Sequence, residues 1–579
     1  MDIQKTESSE SDLYRYKLFI KDRDYSDWEI INEESSQRLK PDIQPVHNKW
    51  FNKDIILYDQ PNNSYILNYS QVRSGISIAG ILVLDGNRTF GRTKNKLLYK
   101  CIPDDKHLPV FIVPYDPPIH FSKVFKNKYV LFQFDKWENQ HPEGKLTATI
   151  GEVDNLESFY EYQLYCKSLH ISLTQFTNKT RELLQKETHE NYILQILNNP
   201  QFNIQDRRNK TNAFTIDPQN STDFDDAFSI TTDKENNQMH ITIYIANVFV
   251  WLETLNLWES FTNRVSTIYL PDRKRPMLPT ILSDNLCSLQ ENKDRFAFAL
   301  DLVFNDKNKL IQNSFHMVLI NVSHNFRYES PELDTYQPYQ SLYDFTRTQS
   351  KSISDSHDVV AYWMVKMNSI CGNEMAQQFI GIFRQATFTR TINEPPFDSH
   401  LSTDTKRIIT MWNNVSGQYV LYGIDLKHDI MKLSNYTHVT SPIRRLVDLL
   451  NQLWILSTFR LITEFSEQAQ SFLHKWLHKI EYVNTSMRSI RKIQTDCEVL
   501  HRCISNHCIL ENLHIGTLFD KLQKNDGGFI YMVYLEELKL LTRLKTYIEY
   551  ENYSCHSFQL FLFLDENNLK KKIRVQIKN

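Results

Sequence analysis

Four aspartates, Asp217, Asp223, Asp225 and Asp226, fall within ten residues of the run Thr215–Ser229. Carboxylates this dense repel one another unless a cation sits among them, and an oxygen-only ligand set suits a hard ion. Magnesium is the expected ion, with manganese as a substitute. It keeps several waters and takes further ligands from substrate phosphates, which points to metal-assisted phosphoryl chemistry. The spacing is not that of an EF-hand. Counted from Asp223, position six is Phe228 where glycine belongs, and position twelve is Lys234 where glutamate belongs. Ile216, Phe224, Ala227 and Phe228 lie between the acids and argue against a merely solvated turn.

A second motif is basic: Asn435-Tyr-Thr-His-Val-Thr-Ser-Pro-Ile-Arg-Arg-Leu-Val-Asp448. Ser441-Pro442 predicts a helix start, with Thr440 or Ser441 capping and Pro442 in the first turn, where its missing N–H costs nothing. Arg444 and Arg445 would then sit in that turn beside free backbone N–H groups, a ready anion site. Taken alone, such a pair is more often a surface ion pair.

The surrounding elements decide how these residues are held. Tyr65–Tyr69, Ile76–Leu84, Val110–Val113 and Tyr129–Phe134 read as short strands, the pattern of one or two small β-barrels. A helical stretch near Thr180–Asn198 leads into the acidic loop. Ala227–Ile230 and His240–Ala246 follow as strands, so the aspartates stand at the entrance to a sheet. Helical periodicity returns over Asp358–Phe379 and Ile443–Ile504. The chain then goes back to strands, at Gly528–Tyr534 and Phe558–Phe563, and ends in the basic run Lys570–Arg574.

Together the two motifs resemble those of the RNase II, or RNB-domain, exoribonucleases. Asp-x5-Asp-x-Asp-Asp-Ala is similar to that family's carboxylate signature, and Thr-His-x-Thr-Ser-Pro-Ile-Arg-Arg to its second. Pro271–Leu289 followed by Asp294–Phe298 resembles the segment joining sheet to core. Trp137 and Pro142–Val153 resemble the second cold-shock barrel of the eukaryotic branch that includes the exosome catalytic subunit. The resemblance implies a multidomain α+β fold with OB-fold (cold-shock-like) β-barrels at the N-terminus. A central α+β RNB catalytic domain and a reduced, OB-like C-terminal domain would follow. The expected bounds are a disordered tail at 1–12, barrels at 13–105 and 106–195, the RNB domain at 200–508 and an RNA-binding C-terminal domain at 509–579.

What the resemblance implies for function is magnesium-dependent 3′–5′ hydrolysis of single-stranded RNA to nucleoside 5′-monophosphates. Asp217 and Asp226 would ligate the metal, Asp223 would support its shell, and Asp225 would orient or deprotonate the attacking water. Arg444 would hold the scissile phosphate with Arg445 nearby, and Tyr269 and Tyr328 would stack on terminal bases. The chain also departs from the family. Ala361 and Tyr362 stand where an acidic pair is usual, and Ile245-Ala-Asn-Val-Phe-Val250 stands for Ile-Ala-Asp-Val-Ser-His. Leu446 replaces a tyrosine, and Gln452-Leu453 a His-Arg pair. The competing reading is therefore a catalytically weakened RNB-fold protein that binds RNA or a partner.

The bulk properties set the limits. A chain of 579 residues exceeds one hydrophobic core. A formal charge of −3 gives no global attraction for nucleic acid, so RNA would need local basic surfaces, and no DNA partner is expected. Eight cysteines show no disulfide framework, and Cys497, His501, Cys503, His507 and Cys508 fit no compact zinc spacing. No signal core or membrane-length apolar run is present. The expectation is a reduced, cytoplasmic monomer, the nucleus left open, off the membrane. No association with an exosome is expected, since the stretch before the barrels is too short for an endonuclease domain.

Overall fold

The computed structural model describes residues 13–578 apart from 61, 94–95, 117–124, 387–400, 416, 424–425, 429–431, 525 and 566–568. The expected disordered tail at 1–12 lies outside the described residues. Two compact units emerge, the first comprising residues 1–170, 499–512 and 559–576, the second residues 171–498, 513–558 and 577–579.

The first unit holds two sheets. One has five strands in the order Arg38–Leu39, Trp28–Asn32, Leu13–Ile20, Ile55–Asp59, Ser64–Tyr69. The other has six, Ile78–Leu82, Lys128–Lys136, Glu143–Glu152, Phe111–Tyr115, Lys96–Pro103 and Arg92–Thr93. It closes on itself because Ile78–Leu82 also pairs with Lys96–Pro103. That closure is tight. A Cβ on Gly80 would lie 2.9 Å from the Ile102 carbonyl oxygen, and one on Gly144 would lie 2.7 Å from the Phe132 ring, so both positions need glycine. Trp50, Phe51, Phe111, Phe132 and Trp137 fill the interior shared by the two sheets.

These pairings correct the expected boundary at residue 105, which falls inside the second sheet. The run Ile76–Leu84 bonds to the strands at 96–103 and 128–136, and the first sheet ends at Tyr69. The basic run at the C-terminus is likewise a strand, Lys570–Lys578, and Lys570 is buried in an ion pair with Asp104. A cationic run reads as a solvated tail until its partner is known. The C-terminal region forms OB-like strands, as the resemblance implies. Five strands assemble there, His514–Gln523, Phe529–Leu535, Leu540–Thr546, Cys555–Asp565 and Lys570–Lys578, the number an OB barrel uses.

The second unit is built on a mixed sheet ordered Ile204–Asp206, Leu310–Arg327, Ala213–Asp217, Asp226–Asp233, Gln238–Ala246, Asp294–Phe304. The second and last of these also pair with each other. Ile241, Ile243 and Ile245 are fully buried at alternate positions, which fixes the register against Asp226–Asp233. The helices include Gln337–Gln349, Ser356–Gln377, Thr403–Val415, Leu446–Thr458, Glu467–Leu477 and Ile480–Ser505. The helical span expected at 443–504 is thus three helices. It breaks where Arg460 takes a left-handed φ of 53° and where Ser466 caps the next helix through the Ala469 N–H. The stretch at 180–198 is similarly two helices, the second capped by Thr188.

Candidate active site

The acidic loop joins two neighbouring strands of the second unit. Asp217 is the last residue of Ala213–Asp217, and Asp226 is the first of Asp226–Asp233. Ser288 pins the loop between them: its hydroxyl accepts the Phe224 N–H at 3.0 Å and donates to the Thr222 carbonyl at 2.9 Å. The Leu289 N–H then donates to the Phe224 carbonyl at 3.0 Å. Four carboxylates are thereby held on backbone with little freedom, and Asp217, Asp225 and Asp226 are all buried.

Burial dominates their electrostatics. It lifts Asp217 to about 6, against the opposing pull of Thr215, Arg444 and Arg327. It lifts Asp225 to about 7, opposed by Arg444 and the Ile443 N–H. Asp226 is raised further above the usual carboxylate range by burial and then by Asp217. A buried acid raised by a neighbouring buried acid is relieved by a cation the two share. The Asp217 Oδ2 atom is buried and has no hydrogen-bond partner, so it remains able to ligate one.

The third expected metal residue behaves differently. Asp223 Oδ1 accepts from Lys274 Nζ at 2.9 Å, and the same ammonium reaches Asp284 Oδ1 at 3.0 Å and the Thr222 hydroxyl at 2.7 Å. Asp223 is therefore paired with a resident cation, while it still lies near enough to Asp217 and Asp225 to push both upward. Among the described residues, no three His, Cys, Asp or Glu side chains converge as a metal cage. Asp217 and Asp226 fit a metal that completes its shell with water and substrate oxygens, as magnesium does. Sequence reading missed Lys274 and Asp284. They are ten positions apart in an irregular segment, where no periodicity links them.

The basic motif closes over the loop, but not as the start of a helix. Ser441–Arg445 is a turn in which the Arg444 and Arg445 N–H groups reach back to the Ser441 carbonyl, and the helix begins at Leu446. Arg445 is extended, with φ −136°, because it bridges to Ser266, and this overrides the Ser-Pro start signal. A hydrogen bond and an ion pair then tie the turn to the acids. The Ile443 N–H donates to Asp225 Oδ1 at 3.0 Å, and Arg444 Nε lies 3.0 Å from Asp225 Oδ2. The Arg444 Nη2 also donates to the Ser441 hydroxyl at 3.2 Å, yet the side chain is still 45% exposed while Asp225 is 2% exposed, so the held guanidinium keeps a solvent-facing edge for an incoming anion.

Arg445, expected beside the phosphate, is turned elsewhere. Its guanidinium donates to Asp448 Oδ1 at 2.9 Å and lies 3.4 Å from His438 Nδ1. Asp448 is fully buried and also accepts the Ser441 N–H at 2.7 Å, so the Arg445–Asp448 pair holds the turn that presents Arg444. The clue was in the sequence, since Asp448 lies three residues beyond Arg445.

Both tyrosines reach the site. The Tyr269 hydroxyl lies 3.4 Å from Asp223 Oδ2, its N–H donates to Gln494 Oε1 at 3.2 Å, and the residue is 42% exposed. The Tyr328 N–H donates to the Asp217 carbonyl at 3.0 Å. The Tyr328 ring stacks on His357 at 3.7 Å and 12°, which fixes its plane at the edge of the site. The family departures also have places. Ala361 is exposed on its helix, Asn247 caps the helix Val248–Thr254, and Phe249 packs against Phe202, Trp258 and Phe465. Apolar packing stands at Phe249 and Val250, where polar side chains were expected.

Residues 204–332 match the RNB domain, and residues 98–162 match the Dis3-like cold-shock domain 2. The chain is 27% identical over 309 residues to ribonuclease R of Chlamydia pneumoniae, covering 41% of this chain and 45% of that one. It is 24% identical over 402 residues to the exosome complex exonuclease dis3 of Schizosaccharomyces pombe, covering 55% and 41%. It thus spans less than half the length of these curated relatives. In fold it is similar to Mycoplasma genitalium RNase R solved with ribose methylated single-stranded RNA, at TM-score 0.65 and 15% identity over 97% of this chain and 100% of that one. It is also similar to yeast Ssd1, described as a pseudonuclease, at TM-score 0.56 and 13% identity over 92% and 78%.

Proposed function

From its membership of the RNB-domain family, we propose that this chain hydrolyses single-stranded RNA from the 3′ end, releasing nucleoside 5′-monophosphates with magnesium as cofactor. The observation that carries the reading is the junction of the two motifs. Asp225 is gripped by both the Ile443 N–H and Arg444, which sets a phosphate-binding cation beside a buried carboxylate.

Each residue has a role in this reading. Asp217 and Asp226 hold the metal, which supplies Lewis acidity at the phosphate when bound. Asp225, lifted to about 7 by burial, is suited to accept a proton from the attacking water near neutral pH. Arg444 binds the phosphate through its exposed edge and stabilises the charge that builds on it. Tyr269 and Tyr328 offer ring faces to the terminal bases. Stacking accepts any base, as stepping along arbitrary sequence requires.

A second reading, a weakened enzyme that binds RNA without cutting it, is favoured by Lys274 on Asp223 and by Ala361 and Tyr362 in place of two acids. Magnesium and a 5′-labelled RNA with a 3′ single-stranded tail separate the two. Stepwise shortening from the 3′ end, abolished by chelation, supports the hydrolase. Stable binding with no shortening leaves the weakened reading standing.

A further inference from the structure

The helix Ile480–Ser505 carries Asn484, Arg488, Arg491 and Gln494 at spacings of four, three and three, which align them along one face. At one end of this row Asn484 is locked to Tyr419. The Tyr419 N–H donates to Asn484 Oδ1 at 2.7 Å, and Asn484 Nδ2 donates to the Tyr419 carbonyl at 2.8 Å. At the other end Gln494 accepts the N–H of Tyr269, whose hydroxyl reaches Asp223. The row therefore leads along the helix to the edge of the acidic site.

Its first end is crowded with cations. The Arg384 guanidinium lies 5.1 Å over the Tyr419 ring, and the Tyr419 hydroxyl meets His438 Nδ1 at 2.8 Å beside Arg445. Asp448 compensates Arg445. Arg488 is exposed and bonds through its guanidinium to the Thr485 hydroxyl at 3.2 Å. Arg491 is half-buried and forms no ion pair with a carboxylate among the described residues. Burial and then Arg384 push Arg491 down to about 10. A guanidinium without a counter-charge in such a place is stabilised by any anion that reaches it.

We propose that Arg488 and Arg491 bind phosphodiester groups of the RNA strand and guide it along this helix to Tyr269. The proposal rests on the RNA-hydrolysing reading above and adds the path by which the strand reaches the site. Contacts to phosphates carry no sequence information, so this track would accept any single strand.

The test measures binding of fluorescein-labelled oligo(A) and oligo(U) to the full chain carrying Asp225→Asn, across a series of salt concentrations. In that background Arg488→Gln and Arg491→Gln should each make the dependence of log K on log[salt] shallower by about 0.7, a roughly 5-fold affinity loss at 0.1 M salt, equal for both oligomers. Arg491→Lys, which keeps the charge, should retain the slope. If Arg491→Gln does not fold, the exposed Arg488→Gln carries the test alone. Unchanged slopes in a parent that binds RNA overturn the track and leave the hydrolase reading intact. A parent that binds no RNA overturns both.

Discussion

Removing Asp448 should loosen the turn that aims Arg444 without touching any group that meets the substrate. Asp448 is 0% exposed and accepts from both Arg445 and the Ser441 N–H, while Arg445 is 25% exposed. Breaking a buried pair from one side costs about 3–5 kcal/mol, and the partial exposure of Arg445 holds the figure near ~3 kcal/mol. Losing the acceptor for the Ser441 N–H adds about 1 kcal/mol. Asp448→Ala should therefore weaken amide protection across residues 441–446 by at least ~100-fold, measured by hydrogen exchange and mass spectrometry. Asp448→Asn keeps an acceptor for the Ser441 N–H and should cost only about 1–2 kcal/mol. Turnover of a 3′-tailed RNA by Asp448→Ala should fall about 100-fold, because a displacement of Arg444 near 1 Å is enough for that loss. Unchanged exchange in the turn, or full turnover with the turn loosened, would refute the view that the buried pair positions Arg444.

Arg444→Ala removes a charge aimed at the phosphate and should lower kcat about 100–1,000-fold in single-turnover assays. Lys274→Met frees Asp223 and Asp284 from their ammonium. Thermal melts of the variant at a series of manganese concentrations should show half-saturation at lower metal than wild type. Tyr269→Ala should weaken oligonucleotide binding by about 1–3 kcal/mol in fluorescence titrations, and Tyr269→Phe should leave it nearly unchanged.

The acidic loop was legible because its chemistry is local. Asp217, Asp225 and Asp226 lie close in sequence, and the strands around them alternate plainly, so their approach needed no distant partner. The basic motif around Arg444 was legible for the same reason, although its setting beside Asp225 was not. The Ser-Pro signal marks a helix start, and the bridge from Ser266 to Arg445 delays that start to Leu446. Contacts across long separations left no trace in the sequence. Lys274 on Asp223, Gln494 on Tyr269 and Asn484 on Tyr419 join elements with no shared periodicity. The barrel boundary was misplaced for a related reason: the run Ile76–Leu84 reads as a strand in either barrel, and only its pairing with Lys96–Pro103 and Lys128–Lys136 assigns it.

The most direct measurement is mononucleotide release from uniformly labelled single-stranded RNA with magnesium, comparing the wild-type chain with Asp225→Asn. The expected result is nucleoside 5′-monophosphates from the wild type and loss of nearly all release in the variant, with RNA binding retained. Equal degradation by Asp225→Asn would show that the chemistry lies elsewhere, and binding without release by the wild type would show that the chain is not an active exoribonuclease.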